Sequence, residues 1–216
     1  MQNIPKKEFP RPERQRSRWQ NLNGEWDFML FPEGKEADER LFAQSRAGYN
    51  RRIVVPFTWT CPLSKVEEDV AGIGWYRKVV HFEAAERIFL CFGAVDYRTD
   101  VFVNHTHVGS HQGGYTYFEL DVTDAWQSGD NLIEVRAEDY RRETQTYGKQ
   151  GYGEIQGIWQ TVWLEERPQA YLSDFRITTK ITGDVHIAAQ VSAPDGAVFS
   201  AHFDGQHVKA PVQHGQ

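Results

Sequence analysis

Ile133-Glu134-Val135-Arg136-Ala137-Glu138 sets an apolar side chain at every second position. Neighbouring residues of a strand point to opposite faces, so this beat of two describes a half-buried strand and not a helix of period 3.6. Trp26, Phe28 and Leu30, alternating with Asp27, Met29 and Phe31, repeat it. Further runs of the same kind are Trp75 to Phe82, Arg87 to Phe92, Asp100 to Asn104, Tyr117 to Asp121 and Ile158 to Glu165, bounded by Gly, Pro, Asn or Asp. Short alternating runs with such punctuation predict an antiparallel sandwich with one wet face. Only Gly34 to Ala47 has the composition of a helix, and Thr123-Asp124-Ala125-Trp126 reads as a single capped turn. The expected class is all-β.

The chain of 216 residues is 40% apolar and 25% charged, which excludes disordered and collagen-like chains. It contains no uncharged apolar run of about 18 residues, so no membrane-spanning helix is expected. Lys6, Lys7, Arg11, Arg14, Arg16 and Arg18 are followed by no apolar segment, so the opening does not have the layout of a secretory signal and a cytoplasmic protein is expected. Cys61 and Cys91 are far apart among apolar neighbours and are expected to be free, mostly buried thiols. Net charge is −6, yet six basic residues crowd between Lys6 and Arg18 against Glu8 and Glu13. The acidic body that remains would repel a polyanion, so nucleic acid is not an expected partner and the basic stretch reads as a solvated lead-in.

At Glu165-Glu166-Arg167-Pro168 a charged, proline-containing step ends the last strand, and aromatic density falls beyond it. The expected organisation is a basic lead-in over residues 1–18, a sandwich over 19–168 and a second domain over 169–216. In that last stretch Phe175, Ile177 and Thr179, then Val185, Ile187, Ala189 and Val191, then Phe199, Ala201 and Phe203 alternate in fewer strands than the seven or so of an immunoglobulin-like sandwich. It is therefore expected to be part of one, with the chain a piece of a longer protein.

No Gly-x-Ser-x-Gly elbow, phosphate-binding loop or dinucleotide fingerprint is present, and Gly72-Ile73-Gly74 leads into a strand. His105, His107 and His111 have the residue types of a metal site, but Asn104 to Thr106 reads as a hairpin tip, and no metal or cofactor is expected. Asn104-His105-Thr106 also fits the glycosylation sequon and reads as that same turn. Glu154, Glu119, Asp121 and Asp96 lie near strand ends, where glycoside hydrolysis would need two carboxylates facing across a cleft and solvated faces are the ordinary alternative. Trp26, Trp75, Trp159 and Trp163 lie in alternating strands and read as core, although sugars stack on exposed aromatic faces.

Several segments together resemble the N-terminal sugar-binding domain of glycoside hydrolase family 2, the family of β-galactosidases, β-glucuronidases and β-mannosidases. They include Leu22-Asn23-Gly24-Glu25-Trp26-Asp27-Phe28, Val54-Val55-Pro56-Phe57-Thr58-Trp59, Gly74-Trp75-Tyr76-Arg77-Lys78, His111-Gln112-Gly113-Gly114-Tyr115-Thr116 and Gly157-Ile158-Trp159-Gln160-Thr161-Val162-Trp163-Leu164-Glu165. The resemblance covers about two-thirds of the chain. It implies a jelly-roll, galactose-binding-like sandwich followed by the start of an immunoglobulin-like second domain. It also implies an enzyme that hydrolyses β-linked glycosides with retention, through two glutamates on a (β/α)8 barrel. A barrel of about 250 residues does not fit in this chain, nor does the Asn-Glu dipeptide that marks the family's acid/base glutamate occur in it. No catalytic residue is therefore assigned here; the expected partners are carbohydrate and the C-terminal catalytic barrel of a parent enzyme whose oligomeric state stays open.

By the same resemblance, loops of this first domain reach the rim of the barrel's sugar pocket. The implied rim residues are Asp96, Tyr97 and Arg98 after one strand, His111 and Tyr115 in a turn, and Arg142, Lys149 and Gln150 in the insert between Arg141 and Tyr152. Gly148-Lys149-Gln150 is similar to a short Arg-Gly-Lys-Gln motif of other bacterial members, with Tyr147 in place of the arginine. The acidic residue and asparagine of well-known bacterial β-galactosidases are missing at Gly113 and near Thr58, so those galactose contacts do not carry over. Two other readings stay open on residues alone: an autonomous lectin-like module, and a structural interaction domain.

Overall fold

The computed structural model describes residues 4–84, 86–140, 154–194 and 196–212. Two compact units emerge, Met1–Glu166 and Arg167–Gln216. The first is an all-β jelly-roll sandwich. One sheet has the order β1 (Trp19–Asn21), β12 (Val162–Arg167), β5 (Arg87–Phe92), β9 (Phe118–Asp121). The other runs β3 (Arg51–Val55), β2 (Gly24–Pro32), β4 (Gly72–His81), β10 (Asp130–Asp139), β7 (Arg98–Val103), β8 (Thr106–Gln112). A short ladder, β6 (Val95–Asp96) against β11 (Gly157–Ile158), ties the two connecting loops at one end.

Alternation does here what its period requires. On β10, Ile133, Val135 and Ala137 turn into the core, where Trp26, Phe28 and Tyr76 from one sheet meet Leu90, Phe92 and Leu164 from the other. The opposite face of β4 and β10 is not wet, as the sequence suggested. Helix α1 (Glu36–Ser45) lies over it, and Phe42, Ile73 and Trp75 form a second apolar cluster. Glu36, Asp38 and Glu39 in its first turn complement the helix dipole. Arg46, left-handed at φ 48°, closes its C-terminus by donating its N–H to the Phe42 carbonyl at 2.6 Å.

At the far end of the sandwich the sequon asparagine is structural. Asn104 Nδ2 donates to the Ala125 carbonyl at 2.9 Å and to Asn131 Oδ1 at 2.7 Å, and its Oδ1 accepts from the Leu132 N–H. The short turn Thr123–Ala125 is a 3-10 turn, braced by Asp121 Oδ1, which accepts from the Thr123 N–H at 3.1 Å. Cys61 and Cys91 are free.

The lead-in read as solvated instead lies on the β1-β12-β5-β9 sheet. Phe9 meets the edge of Trp19 at 4.9 Å between ring centroids, and the Arg11 guanidinium sits 4.2 Å above Tyr117. Arg16 Nε lies 3.6 Å from a Glu165 carboxylate oxygen, and the Asn21 and Asn23 amides donate to the Lys6 and Pro5 carbonyls. The basic residues find aromatic faces and carboxylates on the acidic body, which is what local charge counting cannot see.

The second unit consists of two antiparallel hairpins, β13 (Tyr171–Thr179) with β14 (Val185–Ser192) and β15 (Val198–Phe203) with β16 (Gln206–Pro211).

Candidate functional site

The loops at the β6/β11 end gather most of the rim residues expected from the sequence. Asp96 ends β6 opposite Gly157, so the ladder fixes its backbone, and the residue is only 8% exposed. Its carboxylate lies against the Cα of Gly114, so closely that a Cβ there would meet all three carboxylate atoms at 2.5–2.6 Å. Only glycine permits this approach. The Tyr97 carbonyl accepts from the Gly113 N–H at 2.9 Å, and its phenol oxygen accepts from Gln112 Nε2 at 3.2 Å. Two loops distant in sequence are thereby joined into one shelf.

Trp159 completes the shelf from a third segment. Its indole N–H donates to the Gly114 carbonyl at 2.8 Å, and its ring meets the edge of Tyr115 at 5.6 Å. Tyr115 itself is 71% exposed. Among the four tryptophans read as core, Trp26, Trp75 and Trp163 are buried, whereas Trp159 is only partly so. Its place in an alternating run concealed this, because β11 stops at Ile158 and the chain leaves the ladder before the next strand.

His111 stands beside the shelf, its Nε2 3.0 Å from Thr116 Oγ1 and its ring stacked on Phe118 at 4.2 Å. Burial against that ring disfavours the imidazolium and holds its pKa below the ordinary 6.5. Because folding then favours the neutral ring, the associated stability is complete above about pH 6.5 and declines as pH falls through the lowered folded value. An NMR pH titration of the His111 ring is expected to give a midpoint below 6.5, and a His111→Gln variant to lose that part of the pH dependence of stability. Arg98 opens β7, exposed, opposite Gln112 on β8. Arg142, Lys149 and Gln150 lie outside the described residues.

The remaining carboxylates have other work. Asp121 pairs with Arg87 and, across β5, sits at the end of the sandwich away from the shelf; Glu119 accepts from the Tyr117 hydroxyl. Glu154 lends its backbone: its carbonyl accepts from Thr60 Oγ1 at 3.3 Å, and two residues on the buried Gln156 donates its N–H to Thr58 Oγ1 at 2.8 Å. These threonine contacts, absent from the sequence reading, tie the loop before β11 to the one after β3.

The three histidines do not converge. His105 Nδ1 is 3.3 Å from Glu134, and His107 Nε2 is 3.5 Å from Asp100 and 3.1 Å from the Ser110 hydroxyl. Among the described residues, the set of three side chains with metal-ligand atoms within 4.8 Å of one another is Cys91, Glu119 and Glu165. Its oxygens already have partners: Glu165 accepts from the Trp163 indole at 3.0 Å and faces Arg16, and Glu119 accepts from Tyr117.

What the shelf offers is a carboxylate, two phenols, an imidazole and an exposed aromatic face. Hydroxyl-rich ligands need hydrogen-bond partners at their rims and a flat apolar surface for their C–H faces, and the shelf has both.

Comparison with known proteins places this geometry. Residues 63–168 match the family model described as the sugar binding domain of glycosyl hydrolases family 2. A relative from Formosa agariphila named putative beta-glucuronidase is 31% identical over 166 residues, 74% of this chain and 20% of that protein. A beta-galactosidase of Thermoanaerobacter pseudethanolicus is 32% identical over 164 residues, 62% of this chain and 22% of its own length. The crystal structure of Ruminococcus gnavus beta-glucuronidase superimposes with a TM-score of 0.72 at 18% identity, over 95% of this chain and 39% of that one, and so shares the fold. The chain spans about a fifth of the length of the two relatives. With the jelly-roll sandwich, the motifs and the matched segment in agreement, the chain carries the N-terminal sugar-binding domain of glycoside hydrolase family 2.

Proposed function

We propose that this chain is the non-catalytic sugar-binding and scaffold portion of a longer glycosidase that hydrolyses β-linked glycosides, of β-glucuronidase or β-galactosidase type. The observation that carries the reading is the convergence of Asp96, Tyr97 and Tyr115 on one shelf of a domain that accounts for about a fifth of proteins so named. In this reading the shelf forms one wall of a sugar pocket whose other wall, with both catalytic carboxylates, belongs to a barrel in the rest of the protein. Arg142, Lys149 and Gln150 are proposed to extend the same wall, and residues 169–216 to begin an immunoglobulin-like sandwich.

A single wall buries little of a ligand, so affinity for a monosaccharide is expected at about 1 mM or weaker, near −4 kcal/mol. The purified chain is expected to release no nitrophenol from nitrophenyl β-glucuronide or β-galactoside. Turnover that follows the chain through successive columns would overturn the non-catalytic assignment. Saturable binding of glucuronate or galactose below about 100 µM would instead identify an autonomous lectin-like module.

A further inference from the structure

Between the N-terminal segment and the sandwich lies a groove of about 600 Å³. Its size falls within the roughly 300–1,000 Å³ of ordinary ligand sites. Phe9 and Arg11 of the segment form one side; Tyr117, Trp159 and Thr161 form the other, with Lys6 at the margin. Aromatic rings mixed with polar and cationic side chains suit a sugar better than a lipid tail, which would desolvate the charges of Lys6 and Arg11.

Two further features narrow the ligand. The groove's charged lining is Lys6, Arg11 and Glu8, a cationic excess on a chain of net charge −6. Arg11 is positioned in advance, its guanidinium 4.2 Å above Tyr117 and its Nε donating to Glu13 Oε1 at 3.1 Å. A planar fork held in this way matches a carboxylate. Trp159, moreover, belongs to both places: it donates to Gly114 on the shelf and lines the groove.

We propose that the groove is an extended subsite for an acidic β-linked oligosaccharide, in which a ligand entering over the shelf continues past Trp159 and sets a uronate carboxylate against Arg11 and Lys6. The proposal rests on the sugar-binding reading above and adds a substrate class to it. Neutral glycans lose the charged contact and bind more weakly.

The test is a nitrogen-15 NMR titration of the whole 216-residue chain with a glucuronate-bearing β-linked disaccharide and with its neutral glucose counterpart. Shifts are expected at Tyr115, Trp159, Tyr117 and Thr161, with the neutral sugar binding about 5-fold more weakly and the uronate weakened by salt. Arg11→Gln is expected to weaken uronate binding by about 5-fold more than it weakens the neutral sugar, closing the gap between the two. Lys6→Gln, which leaves the Arg11–Tyr117 contact in place, repeats the experiment with less disturbance of the segment. Equal affinities for the two sugars, or no effect of either substitution, overturn the proposal. Shifts confined to Asp96, Tyr97 and Tyr115 overturn the groove while sustaining the shelf, whereas no shifts up to about 50 mM overturn both.

Discussion

A Gly157→Ala variant is expected to lose about 3–5 kcal/mol of folding stability, and the loss has three sources that the surrounding residues prevent from relaxing. Gly157 holds φ +70°, a conformation that costs a side-chain-bearing residue roughly 1–2 kcal/mol. Its added Cβ would lie 2.0 Å from the Tyr76 hydroxyl and 2.7 Å from the Trp59 ring. Both of those side chains are fully buried, Trp59 with its indole N–H donating to the Val70 carbonyl at 3.0 Å, so neither can move aside. Overpacking of this kind costs about 1–3 kcal/mol. Pushing Tyr76 away also breaks the hydrogen bond that the Ile158 N–H donates to its hydroxyl at 3.2 Å and leaves a buried donor without an acceptor. Tyr76→Phe alone is expected to cost about 1–2 kcal/mol, because it removes that acceptor. The double variant should fall short of the sum of the two by about 1 kcal/mol, since the missing hydroxyl makes room for the new methyl. Urea unfolding followed by tryptophan fluorescence measures this directly. All seven tryptophans lie within residues 1–166, so the signal reports on the sandwich without the second unit. A loss under 1 kcal/mol for Gly157→Ala would mean that the loop carrying Trp159 does not pack as described, and the shelf would lose its third wall.

That expectation shows where the sequence is transparent and where it is not. Strand β5 is read from end to end because Arg87 to Phe92 is a short, almost wholly apolar run bounded on both sides, and Ile88 to Phe92 are buried on both faces. Helix α1 is found within two residues at each end, since no strand-like beat competes with it between Gly34 and Ala47. The covered outer face escapes notice for a physical reason: Glu134 and Arg136 look like solvent-facing residues, and alternation cannot tell water from a helix bearing complementary charge. Glu134 is in fact fully buried, with Arg46 at 3.2 Å and His105 at 3.3 Å. The lead-in is missed similarly, because Arg11 meets the Tyr117 ring and Arg16 the Glu165 carboxylate, each more than a hundred residues away. For the candidate site, Asp96, Tyr97 and Tyr115 are reached through family resemblance, not through periodicity. Trp159 is read as core and Gly114 only as part of a family-like segment, because a lone contact between an indole N–H and a glycine carbonyl leaves no trace in spacing. The Gly113-Gly114 pair carries the local signal legible there, that of a sharp backbone bend, and it says nothing of the neighbouring indole.

Arg136→Met is expected to cost about 2–4 kcal/mol, the second largest loss foreseen, and it tests whether that concealed face is held by charge. Arg136 Nε donates to Glu39 Oε1 at 3.0 Å and Nη2 to Glu138 Oε2 at 2.9 Å, while Nη1 stands 3.6 Å from Asp100. Glu39 comes from helix α1 and the others from the sheet, so one guanidinium joins the two layers. The same Glu39 oxygen also accepts from the Trp75 indole at 2.8 Å, inside the apolar cluster beneath the helix. Removing the cation leaves three carboxylates facing one another, of which Glu39 is 6% exposed at its side chain. Breaking a fully buried pair costs about 3–5 kcal/mol; the side chains of Glu138 and Asp100 keep 22% and 28% exposure, so water recovers part of that. Lysine at position 136 should restore less than half, since a single ammonium cannot span three acceptors held in a fork. Glu39→Gln in the Arg136→Met background is expected to recover at least 1 kcal/mol, because the amide oxygen still accepts from Trp75 while the uncompensated buried charge is gone. If Arg136→Met costs less than about 0.5 kcal/mol, or if Glu39→Gln brings no recovery, then apolar packing of Phe42 and Trp75 alone seats the helix and the ion cluster contributes nothing net. Recovery by the amide, together with failure of lysine, would establish that the charged beat of Glu134, Arg136 and Glu138 is the inner lining of a second layer and was never a solvent face.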